Sequence, residues 1–123
     1  MENQTTERQK DLIIIGAQGS GKTTLAEKRA AKYQRHRVFV TEFNWNTDHT
    51  WASIRGGLVG RGGADLIIIE GVQAGFQVDD LVSMIDNFFK NIPSLRPSLI
   101  FTSIYLKELG HSARSGNYEV VNL

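Results

Sequence analysis

Leu12-Ile13-Ile14-Ile15-Gly16-Ala17-Gln18-Gly19-Ser20-Gly21-Lys22-Thr23 is the stretch from which the rest of the chain is read. Its uninterrupted apolar run has the character of a strand buried on both faces of a parallel sheet. Glycines at 16, 19 and 21 then let the backbone curl so that several N–H groups converge on one anionic oxygen cluster. A helix starting at the same place aims its positive dipole end at that cluster. Lys22 is long enough to reach β- and γ-phosphates as a point charge, and the Thr23 hydroxyl is a hard ligand suited to Mg²⁺. Gly16 to Thr23 fits the pattern G-x-x-x-x-G-K-[ST]. Gly16, Ala17, Gln18, Gly19, Ser20, Gly21, Lys22 and Thr23, with Thr24, are therefore expected to bind the phosphates of a nucleoside triphosphate.

With 123 residues, the chain has room for one domain, burying roughly two thirds of its unfolded surface. The formal net charge is +1, so bulk electrostatics argues for neither nucleic acid nor membrane, and any basic patch must be local. The chain contains no cysteine, which excludes disulfides, thiolate metal sites and cysteine nucleophiles. The first ten residues are polar and lack the apolar core of a signal peptide, and no apolar run approaches the length of a membrane span. The expectation is a polar tail over 1–10, a single nucleotide-binding domain over 11–123, no membrane contact and a cytoplasmic location.

Outward from the opening stretch, strands and helices alternate. Residues 11–15 form a strand, and a helix follows from about Gly21 to Gln34. Arg37 to Phe43 reads as a second strand nearer an edge. Asn44 to Asp48 supplies turn and capping groups for a short helix, Thr50 to Leu58, which runs into a glycine-rich stretch (56, 57, 60, 62 and 63) expected to be a flexible loop. Leu66 to Ile69 is a third strand ending in Glu70 and Gly71. Asp79 or Asp80 is expected to cap a helix reaching Lys90, with Leu81, Val82, Met84, Ile85, Phe88 and Phe89 as core. Ser98 to Ile104 and Tyr118 to Leu123 complete a mainly parallel five-stranded sheet. The fold expected is α/β, a three-layer α/β/α sandwich.

A triphosphate-bound Mg²⁺ calls for a carboxylate at the end of a neighbouring strand, and Glu70 stands there. It either supports the metal or acts itself as general base. Gln73 is a further group able to orient water, although a loop glutamine is more often simply solvated.

Four apolar residues followed by an acid resemble a Walker B strand, with Glu70 where Asp is usual and Gly71 where many ATPases carry a catalytic Glu. Together with the phosphate loop and with Leu99-Ile100-Phe101-Thr102-Ser103, the chain resembles the P-loop NTPase superfamily. Its order of elements is similar to that of minimal AAA-like and superfamily-3-helicase-like ATPase domains. That resemblance implies that Thr102 or Ser103 senses the γ-phosphate, with Ile104 departing from the Asn often found next, and that Arg114 is an arginine finger acting from a neighbouring subunit. It further implies Mg²⁺-dependent ATP hydrolysis, with Lys22, Glu70 and Arg114 as catalytic residues and Thr23 and Glu70 as metal ligands. The active form would be a homo-oligomer or a complex with a nucleic-acid or protein partner.

Two other readings stay open. Asp65-Leu-Ile-Ile-Ile-Glu70-Gly71 also looks like the acidic strand of small-molecule kinases and nucleotide-binding adaptors, in which Glu42 or Asp48 would take a substrate proton. A nucleotide-dependent switch with little turnover is the third. Weaker surface features are the basic cluster Lys28, Arg29, Lys32, Arg35, His36 and Arg37, which suits a helix C-terminus as well as a phosphate backbone, and Trp45 and Trp51, able to stack on a base or to pack internally. His49 and His111 lack metal-pair spacing.

Overall fold

The computed structural model describes residues 10–104 and 118–123. Five strands, β1 (Asp11–Ile15), β2 (Val38–Glu42), β3 (Leu66–Glu70), β4 (Ser98–Ser103) and β5 (Tyr118–Asn122), form one sheet in the order β2-β3-β4-β1-β5. Every pairing is parallel. The helices are α1 (Lys22–Ala30), α2 (Thr47–Arg61) and α3 (Gly75–Phe88). The apolar runs become the three central strands, β3, β4 and β1, and β2 takes an edge, as its mixed composition suggests.

Side chains alternate between the two faces along each strand, so one strand feeds two cores. Ile13, Ile67, Ile69, Leu99 and Phe101 meet Ile54 and Leu58 of α2 and Val78, Leu81 and Ile85 of α3. Leu12, Ile14, Leu66, Ile68 and Ile100 meet Ala26 of α1, with Leu25 and Ala30 packed against them. The chain therefore leaves β1 towards one face and β3 towards the other, with only β4 between these strands. In open parallel sheets such a reversal opens a crevice at the carboxyl ends of the strands.

All three helices differ from expectation in their bounds. The glycine-rich stretch is largely helical: α2 runs through Gly56, Gly57 and Gly60 and stops at the left-handed Gly62 (φ 73°). Gly57 has a packing reason, because a Cβ there would collide with the Phe39 ring. Asn46 caps this helix by accepting the His49 N–H at 2.7 Å. α3 begins at Gly75, upstream of Asp79 and Asp80. Its start is held by Gln77, whose Oε1 accepts the N–H groups of Gln73 (2.7 Å) and Ala74 (3.3 Å). Phe88, expected in the core, is 45% exposed and stacks edge-on with Trp51 and Phe89. α1 is shorter than expected, ending at Ala30.

The amino edge of the sheet is fastened by a buried ion-pair group. Arg96 donates to both carboxylate oxygens of Asp11 (2.8 and 2.9 Å) and from Nε to Asp86 (2.8 Å). Burial opposes the charge on Arg96, but the hydrogen bonds and charges of Asp11 and Asp86 outweigh it and raise its pKa. Asp11 also accepts the Leu99 N–H at 3.0 Å, tying β1 to β4. Beside it the Tyr118 hydroxyl donates to Asp79 of α3 at 3.0 Å. No described helix is long and apolar enough to cross a membrane.

Candidate functional site

The carboxyl edge is built differently. Between β1 and α1 the chain turns through Gly19 (φ 82°) and Gly21 (φ 101°), conformations that L side chains rarely adopt. A Cβ on Gly16 would collide with the Ser20 hydroxyl, so glycine lets the loop close on itself. Lys22 arches back over the loop, its Nζ donating to the carbonyl oxygens of Gly16 (2.7 Å) and Ala17 (3.0 Å). A cation thus sits beside the loop at the head of α1, where the first amides of the helix have no intrahelical acceptor. Thr23 and Thr24 are exposed in that first turn, as are Ala17, Gln18 and Gly19 in the loop.

The end of β4 connects this loop to the acidic strand. The Ser103 carbonyl accepts the Gly16 N–H at 3.0 Å, and the Thr102 carbonyl accepts the N–H groups of Gly71 (2.9 Å) and Val72 (3.2 Å). In the sheet register Thr102 stands opposite Ile14 on one side and Glu70 on the other.

Alternation then sorts the polar residues at this edge. Glu70 shares parity with Leu66 and Ile68, and Thr102 with Ile100, so both belong to the face that α1 covers. Ser103 shares parity with Leu99 and Phe101 and belongs to the α3 face. Glu70 is half-buried and Thr102 buried. Glu42 is the register partner of Glu70; it is exposed and falls on the α1 face. Thr23 and Glu70 are hard oxygen donors on one side of the sheet. They suit a Mg²⁺ ion, which is held by one or two carboxylates and keeps its other positions for water and phosphate oxygens. No cluster of three or more His, Cys, Asp or Glu is present among the described residues.

Two buried hydroxyls near the loop, those of Ser20 and Ser103, have no hydrogen-bond partner among the described residues. Nothing in the sequence marks them, because their isolation is a property of packing.

The other residues singled out are dispersed. Trp45, 82% exposed with φ 71°, follows β2 and stacks edge-on with His49 at 5.6 Å. β3 and β4 separate β2 from β1, so Trp45 follows a strand that lies about 14 Å to the side of β1 at ordinary strand spacing. Trp51 packs internally. Arg29 pairs with Glu119 and Arg37 with Asp65, each at 3.0 Å, which removes two members of the basic cluster as free cations. Lys28, Lys32, Arg35 and His36 are exposed, as are Asp48 and Gln73. Arg114 and His111 lie outside the described residues. No family model matches the chain, and neither a curated protein nor a solved structure is significantly similar to it.

Proposed function

We propose that the chain is a minimal, single-domain P-loop ATPase of three-layer α/β/α architecture, dependent on Mg²⁺. The observation that carries this reading is the arch of Lys22 over Gly16 and Ala17 at the head of α1, on a sheet whose β4 lies between the loop strand and the acidic strand. On binding ATP, Lys22 exchanges two neutral carbonyl partners for charged β- and γ-phosphate oxygens, a stronger kind of hydrogen bond. The loop amides and the α1 dipole orient the phosphates. Thr23 and Glu70 would hold the metal, and Mg²⁺ supplies charge that offsets the charge developing on the transferring phosphoryl group. β1 and β3 are two strand spacings apart, about 10 Å, which leaves room between Thr23 and Glu70 for a metal that both would hold.

Thr102, in register with both Ile14 and Glu70, is the residue we assign to sensing the γ-phosphate. Its carbonyl bonds to Gly71 and Val72 would pass a displacement to the turn after β3. Water attacks the γ-phosphorus, and the bond broken is the β–γ anhydride. Arg114 is proposed to act in trans, which makes a homo-oligomer or a nucleic-acid or protein partner part of the reading.

The direct test is ATP affinity. Lys22→Ala should remain folded and weaken ATP binding by about 1.5–3 kcal/mol, the scale of a hydrogen bond to a charged group. Calorimetric titration giving equal affinity for wild type and a folded Lys22→Ala protein would refute the phosphate role.

A further inference from the structure

On the α3 face, next to the proposed triphosphate site, the turn after β3, the first turn of α3 and the end of β4 line an open cleft of ≈ 610 Å³. Its walls include Val72, Gln73, Phe76, Gln77, Ser103 and Ile104. The volume is many times that of a water molecule and falls in the range of small-molecule pockets. Among the described residues that line it, none carries a charged side chain.

The polar groups are specific. Ser103 is 1% exposed and its hydroxyl has no hydrogen-bond partner among the described residues. By alternation with Leu99 and Phe101 its side chain points to the α3 side, where the cleft lies. Burying such a group without a partner is unfavourable, so a ligand that satisfies it gains accordingly. Gln77 has its Oε1 committed to the N–H groups of Gln73 and Ala74, which fixes the carboxamide and leaves its NH₂ as the donor. Phe76, 55% exposed, supplies an aromatic surface at the mouth. A flat apolar surface beside a hydroxyl and an oriented carboxamide is the combination by which proteins stack a base and read its edge.

We propose that this cleft binds a nucleobase, presented by a free nucleoside or by an unpaired nucleotide of a strand, at a site separate from the triphosphate loop. This goes beyond the ATPase reading and does not depend on it. The experiment is a titration of the full chain with phosphate-free adenosine, guanosine, cytidine and uridine and with short single-stranded oligonucleotides. Each is followed by ligand-observed NMR with and without a saturating non-hydrolysable ATP analogue.

At least one nucleoside or oligonucleotide should bind wild type and Lys22→Ala equally and be unaffected by the analogue. The near-isosteric Ser103→Ala and the surface change Phe76→Ala should each weaken it about tenfold, as loss of one good contact does, with unchanged thermal unfolding. Binding of free nucleosides alone would identify a small-molecule source, and binding of oligonucleotides a strand. Competition by the analogue would show that only the base of ATP had been detected and would overturn the proposal. So would absence of binding at millimolar concentration, or binding indifferent to both substitutions.

Discussion

The two edges of one sheet treat polar groups in opposite ways. At the amino edge, Asp11, Arg96, Asp86, Tyr118 and Asp79 satisfy one another through short hydrogen bonds, and the result is a clamp joining β1, β4, β5 and α3. At the carboxyl edge the backbone takes left-handed turns at Gly19 and Gly21, the hydroxyls of Ser20 and Ser103 find no partner among the described residues, and Lys22 donates to the loop carbonyls of Gly16 and Ala17. A group whose bonds are all made within the fold contributes to stability, whereas donors held with few partners are ready for a ligand. Stability is therefore concentrated at the amino edge, and groups open to a ligand at the carboxyl edge.

Substitutions at the two edges should therefore separate stability from function. The largest effect belongs to the amino edge. Arg96→Ala leaves Asp11 buried without its cation and should lower unfolding stability by about 3–5 kcal/mol. ATP affinity of the folded fraction should stay the same, as urea unfolding followed by titration would establish; a loss below 1 kcal/mol would break the contrast. At the carboxyl edge, Glu70→Gln should reduce apparent Mg²⁺ affinity in ATP turnover about 10- to 100-fold at an unchanged unfolding midpoint. If turnover fell at every Mg²⁺ concentration alike, Glu70 would be a general base instead.

The smallest effect is a matter of pH. Burial first, then the hydrogen bond to Asp79, pushes the Tyr118 phenol above its ordinary value. Above about pH 10 the unfolded chain releases this proton while the folded chain keeps it, so stability present below that pH declines as the pH rises further. Tyr118→Phe should cost about 0.5–1.5 kcal/mol at neutral pH and remove this part of the alkaline decline. Parallel pH-dependent unfolding curves for the two proteins would contradict the assignment.

Much of the strand framework was legible because parallel strands buried on both faces announce themselves as apolar runs, and the turn between β1 and α1 because Gly19 and Gly21 take conformations that favour glycine. The length of α2 is hidden in sequence because Gly56, Gly57 and Gly60 look like breakers locally, while Gly57 serves contact with a Phe39 eighteen residues earlier. The start of α3 is hidden because Asp79 and Asp80 resemble caps, whereas Gln77 caps the helix from within. The Arg96 clamp could not be foreseen from local pattern, since Asp11 is 85 positions away. Thr102 and Ser103 were equivalent in sequence, and only the register and the helix on each face separate them.

The central claim is hydrolysis at the loop of residues 16–23, and the most direct measurement is phosphate release from Mg-ATP by the purified chain, across protein concentration, beside Lys22→Ala. Turnover should require Mg²⁺, rise per subunit as assembly proceeds and disappear in Lys22→Ala. Phosphate release equal in both proteins, or none from wild type at any concentration with or without single-stranded and duplex DNA, would contradict it.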